Sequence, residues 1–142
     1  MKRARSILVV FVLVTCFYCC QDSGDSPIPY VPINRSITIS NPQYNALFGI
    51  GGFLILPEEG AGGVIAVRAT DDQIFAFDLQ CTKDVYDVNS ATRPDDSQLF
   101  LDCDVCHSQW LLLNGQVNKG PATFPLHQYN TSFDGFVLKI YN

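Results

Sequence analysis

Beyond residue 30 the chain is written in short apolar runs of period two, cut apart by turn dipeptides. No run of helical period there reaches the ~12 residues that a marginally stable isolated helix needs. Residues 36–40 alternate polar and apolar, and apolar strand signals follow at 53–56, 64–69, 74–77, 98–102, 110–113, 126–129 and 136–141. Asp71-Asp72, Asn114-Gly115, Asp134-Gly135 and the stretch 57–63 separate them; such residues favour turns, and Asn-Gly and Asp-Gly favour tight hairpins. One short helical turn is expected over 43–47, with Asn41 as N-cap and Pro42 at the first helical position. Eight or nine strands at this spacing imply an all-β chain, a small antiparallel sandwich or barrel. The 142 residues suffice for one domain, and 47 % hydrophobic against 16 % charged excludes a largely disordered chain. The polar stretch 85–97 reads as a solvated surface loop.

The first residues follow a different logic. Lys2, Arg3 and Arg5 precede an apolar stretch over 7–18. As a helix it would span about 18 Å, short of a ~30 Å hydrocarbon core, which fits a secretory signal better than a membrane span. Cys16, Cys19 and Cys20 close the stretch, and Gln21, Asp22, Ser23, Gly24 and Asp25 then turn abruptly polar. The pattern resembles a bacterial lipoprotein signal, in which a peptidase cuts before a cysteine that becomes acylated. Cys20 sets the polar tether directly after the anchor; Cys16 is the alternative, with aliphatic Leu13 three residues before it. The organisation expected is a signal over 1–19, a tether over 20–29 and one β domain over 30–142. Loss of Lys2, Arg3 and Arg5 lowers the formal charge of −5 by three, to −8. So acidic a body is repelled by anionic headgroups and by nucleic acid, which leaves lipid to hold it at the membrane of a bacterial envelope.

Three cysteines remain, each where a strand signal gives way to a loop: Cys81 in Gln80-Cys81-Thr82-Lys83, then Cys103 and Cys106 in Cys103-Asp104-Val105-Cys106-His107-Ser108-Gln109-Trp110. Downstream come Gly115 and Gly120-Pro121-Ala122. This arrangement resembles the Rieske iron–sulfur domain, whose first box reads Cys-x-His and whose second reads Cys-x-x-His-Gly-Ser-x-Phe, followed by a glycine and a Gly-Pro-Ala segment. The resemblance covers the domain from about residue 31 onward. It implies a Rieske-like β fold with two cysteine-bearing loops at one tip.

The ligand positions depart from that family. A Rieske cluster takes two cysteines on one iron and two histidines on the other. Cys81 and Cys103 match the cysteines, but Lys83 stands in the first histidine position, and an ammonium has no lone pair to donate. Counting back from Trp110, Cys106 falls on the second histidine and His107 on the glycine. The resemblance thus implies a tip without the standard cluster, and no bound metal is favoured. The family's cysteine pair would stand close enough for a disulfide once iron is gone, joining Cys81 to Cys103 or alternatively to Cys106. Were a metal held, Cys81, Cys103, Cys106 and His107 would be its ligands. That set suits zinc, or a non-standard [2Fe–2S] centre completed by His107 or by an oxygen donor such as Asp84 or Asp104.

Nothing else in the sequence suggests chemistry. Glu58-Glu59, Asp71-Asp72 and Asp95-Asp96 lie in turn composition, and Gly60-Ala61-Gly62-Gly63 is not followed by a helix that would cradle a phosphate. His127 reads as a solvent-facing strand position, and Trp110, Phe75 and Phe77 as core. No catalytic set emerges. The expectation is an exported, lipid-anchored binding or accessory module that contacts a partner protein or ligand and is not itself an enzyme. The alternative is an electron-transfer protein with a non-standard [2Fe–2S] cluster.

Overall fold

The computed structural model describes residues 26–142. The signal over 1–19, both anchor candidates Cys16 and Cys20, and the tether up to residue 25 lie outside the described residues. Chain packing begins at once, since Ile28 is already buried.

The described residues form ten strands: β1 (Asn34–Thr38), β2 (Phe53–Leu56), β3 (Val64–Arg68), β4 (Ile74–Asp78), β5 (Arg93–Pro94), β6 (Phe100–Asp102), β7 (Gln109–Leu111), β8 (Val117–Lys119), β9 (Gln128–Phe133) and β10 (Val137–Tyr141). A 3-10 helix over Pro42–Leu47 starts from Asn41 with Pro42 in its first turn, although the Asn41 side chain makes no capping hydrogen bond. Every pairing is antiparallel. Six strands run in the order β1-β10-β9-β4-β3-β2, and four in the order β5-β6-β7-β8. The all-β expectation is met, as a curled six-stranded sheet with a smaller sheet against it.

β3 explains how the two sheets share one interior. All five of its residues are buried, so apolar side chains leave from both faces. Val64 and Ala66 join Ile37, Leu47, Ile74, Ala76, Leu138 and Ile140 in one core, inside the curl of the large sheet. Ile65 and Val67 join Phe77, Leu101, Trp110, Leu112 and Leu126 in the other. A strand buried on both faces reads as a continuous apolar run, which is what 64–67 shows. The buried Arg68 closes the strand, with its guanidinium donating to the carbonyls of Leu47 (3.1 Å), Thr70 (3.2 Å) and Asp71.

Two sequence expectations need correction. The stretch 85–97 is not wholly a solvated loop. Ser90 and Thr92 are buried, and β5 pairs with β6. His127 is not a solvent-facing strand residue; it is half-buried ahead of β9, its ring edge-on to Tyr129 at 4.9 Å. The Asn114-Gly115 turn does join two strands, β7 and β8. There Gly115 has φ +67, and a Cβ on it would stand 2.9 Å from the Phe77 ring, so both backbone and packing require glycine.

Candidate metal centre

The loop after β4 and the loop after β6 meet at one end of the second core. Cys81 and Cys103 are buried there, and Cys106 is half-buried. Cys81 Sγ lies 3.5 Å from Cys106 Sγ and 4.0 Å from an Asp84 carboxylate oxygen. One donor atom from each of Cys81, Asp84, Cys103 and Cys106 falls within 4.8 Å of every other.

Each loop is shaped to turn its donors inward. The amide of His107 donates to the Cys103 carbonyl at 2.9 Å, wrapping 103–107 into a tight turn that brings Cys103 and Cys106 to the same side. His107 itself adopts φ +57 and is exposed. In the first loop the buried Gln80 amide donates to the carbonyls of Asp84 (3.1 Å) and Asp87 (3.3 Å) and to the Ser90 hydroxyl (2.8 Å). Ser90 Oγ in turn lies 2.6 and 2.7 Å from the same two carbonyls, which share its one hydroxyl hydrogen. Thr82 Oγ1 and Trp110 Nε1 both donate to the Phe124 carbonyl, at 2.8 and 3.0 Å, and Thr92 Oγ1 donates to the Leu79 carbonyl at 3.0 Å. These bonds fix the tip to the core beneath it.

The thiols are electrostatically unequal. Burial pushes Cys81 up to about 12, against the backbone amides of Asp84 and Lys83, which favour its thiolate. Burial also raises Cys106, but its bonds to Ser108, 3.1 Å away through the hydroxyl, and the neighbouring thiols outweigh that and leave it below its ordinary value. Cys106 is therefore the readier thiolate.

A second polar site centres on the last residue of β4. Asp78 is fully buried and accepts from the amides of Ala61 (2.7 Å), Gly62 (3.0 Å) and Gln80 (2.8 Å) and from the Tyr129 hydroxyl (2.7 Å). The glycine-rich loop is thus an anion cradle whose occupant is the protein's own carboxylate. Sequence reading missed Asp78, Gln80 and Thr82. Every residue from Ala76 to Thr82 is buried, so no alternation of burial sets these three apart.

The residues present do not fit a His-ligated two-iron cluster. Lys83, in the first histidine position, is exposed and directs its Nζ to Asp84 Oδ1 at 3.3 Å. His107 has a left-handed φ, which glycine adopts most readily and which agrees with the glycine position that the resemblance gives it. His107 is not in the donor group, and Asp104 reaches out to Arg93 at 3.8 Å. Of the oxygen donors read from the sequence, Asp84 is the one gathered with the thiols.

No protein-family model and no curated protein matches this chain. Among solved structures it is similar to the cyanobacterial plasma membrane Rieske protein PetC3 from Synechocystis PCC 6803, with 19 % identity over 80 % of this chain and 100 % of the other and a TM-score of 0.52. The ferredoxin of carbazole 1,9a-dioxygenase from Nocardioides aromaticivorans IC177 matches 79 % of this chain and 98 % of its own at 18 % identity and a TM-score of 0.45. The domain accordingly has a Rieske-like fold, with three cysteines and an aspartate gathered in its tip loops.

Proposed function

We propose that the chain is an exported module of the bacterial cell envelope, anchored by lipid on Cys20 (or Cys16) after loss of the signal over 1–19. The tether over 20–29 carries a Rieske-like domain whose tip works without the His-ligated cluster. It acts as a binding or accessory element and not as a catalyst. One observation supports this reading: His107 is exposed and outside the donor group, and the resemblance puts Lys83 and Cys106 on the two imidazole positions. Tyr86 and Val88, 90 % and 89 % exposed beside Asp84, support a tip that meets a partner, since large apolar side chains so exposed are common at contact surfaces.

A second reading is an electron carrier with a non-standard [2Fe–2S] centre. Its support is the convergence of three thiols in a Rieske-like fold. Anaerobic purification of the full chain, followed by iron and acid-labile sulfide assays, separates the two. The first reading expects neither element in stoichiometric amount; equimolar iron and sulfide would replace it with the second. Mass spectrometry of the mature N-terminus tests the anchor: an acylated Cys20 or Cys16 is expected, and an unmodified chain beginning at Gln21 would remove the lipid from the account.

A further inference from the structure

We infer that Cys81, Asp84, Cys103 and Cys106 form a mononuclear tetrahedral site for a thiophilic divalent cation, zinc above all; this rests on the proposal that the tip lacks the two-iron cluster. The donors are paired by sequence, since Cys81 and Asp84 are three residues apart and so are Cys103 and Cys106. Each pair closes on one tight loop, so two short loops deliver four donors to one point.

The dimensions are those of a single ion. With metal–sulfur bonds of ~2.3 Å, the edge of a tetrahedron is about 3.8 Å. The observed separations are 3.5 Å from Cys81 to Cys106 and 4.0 Å from Cys81 to Asp84, and no pair in the set exceeds 4.8 Å. A two-iron core would have to part the donors into two pairs, one on each iron, with the bridging sulfides between.

The surroundings are those of a thiolate site. The Ser108 hydroxyl lies 3.1 Å from Cys106 Sγ, close enough to donate to a thiolate there. Lys83 holds one oxygen of Asp84 and leaves the other facing the thiols, which orients the carboxylate as a monodentate ligand. Its ammonium also offsets part of the negative charge that three thiolates and a carboxylate leave around a divalent ion. The lysine that is useless to an iron cluster thus gains a role. Buried Cys81 and Cys103 form the floor, while half-buried Asp84 and Cys106 give an ion a way in.

The test uses the full chain, purified in detergent with its thiols kept reduced and analysed for zinc, iron and sulfide, then stripped and titrated with Co²⁺. One zinc per chain is expected. Cobalt should saturate at one equivalent, with the thiolate charge-transfer and intense visible bands of a tetrahedral ion. Asp84→Asn keeps all three thiols and should weaken cobalt binding by ~10–100-fold, since a lost ligand costs at least what a lost supporting group does. Cys106→Ser should remove part of the charge-transfer intensity, and His107→Gly should bind as the parent does. Far-UV circular dichroism of each variant separates lost ligation from lost folding. A zinc-free chain that also fails to take up cobalt would overturn the zinc site and leave the cluster-free reading standing. Equimolar iron and sulfide would overturn both. Loss of cobalt binding in folded His107→Gly would overturn the assignment of Asp84.

Discussion

Tyr129 donates its hydroxyl to a carboxylate oxygen of Asp78 at 2.7 Å, tying β9 to the end of β4, three residues before Cys81. Three backbone amides complete the carboxylate's shell. Hydrogen bonds to a charged group are worth ~1.5–3 kcal/mol, and a buried donor left without its acceptor costs a further ~1–3 kcal/mol. Tyr129→Phe should therefore lower stability by about 2 kcal/mol in chemical denaturation. Asp78→Asn should cost more, because its amide group turns donors toward donors; equal or smaller loss would contradict the cradle.

The same pair sets an alkaline limit. Burial raises the Tyr129 hydroxyl above its ordinary value, and the Asp78 carboxylate raises it further. A group raised on folding holds its proton in the native state after the unfolded chain has released it. The stability it contributes is complete below pH ~10, the unfolded tyrosine value, and is lost as the pH climbs from there toward the folded one. Thermal melts across pH 8 to 11 should show a decline setting in near pH ~10 that is shallower in Tyr129→Phe. An identical decline in both would show that Tyr129 is not its source.

Gly60 makes the cradle sterically workable. It has φ +71, and a Cβ there would stand 2.5 Å from Asp78 Oδ2. Gly60→Ala should destabilise by ~1–3 kcal/mol through backbone strain and displacement of the carboxylate. Gly49→Ala is the control, with no atom within 4 Å of the added Cβ and no positive φ; it should lie within about 0.5 kcal/mol of the parent.

Much of the fold was legible because its strands are short and local. The apolar run 53–56 is β2 to the residue, and Asp134-Gly135 turns β9 into β10. The cysteine framework was legible because strand-to-loop boundaries can be read from period and punctuation. What stayed hidden depends on contacts remote in sequence. Asp84 was one of two oxygen donors to weigh until Gln80 and Ser90 drew its loop inward, and β5 had no strand signal apart from its pairing with β6. Asp78 looked like the end of a strand, because its cradle comes from a loop 17 residues away.

His107 offers a substitution that should gain stability. Its φ of +57 is the left-handed region, which costs a non-glycine residue ~1–2 kcal/mol, and its side chain is exposed. Part of that is returned as backbone entropy in glycine, so His107→Gly should raise stability by up to ~1 kcal/mol. A clear loss of stability in denaturant titration would mean that the imidazole makes contacts this structure does not contain.

The central claim is that the tip carries no two-iron cluster, and low-temperature electron paramagnetic resonance tests it most directly. The full chain, isolated without oxygen and reduced with dithionite, is expected to give no cluster signal. A rhombic signal of a reduced [2Fe–2S] centre at stoichiometric intensity would contradict the account.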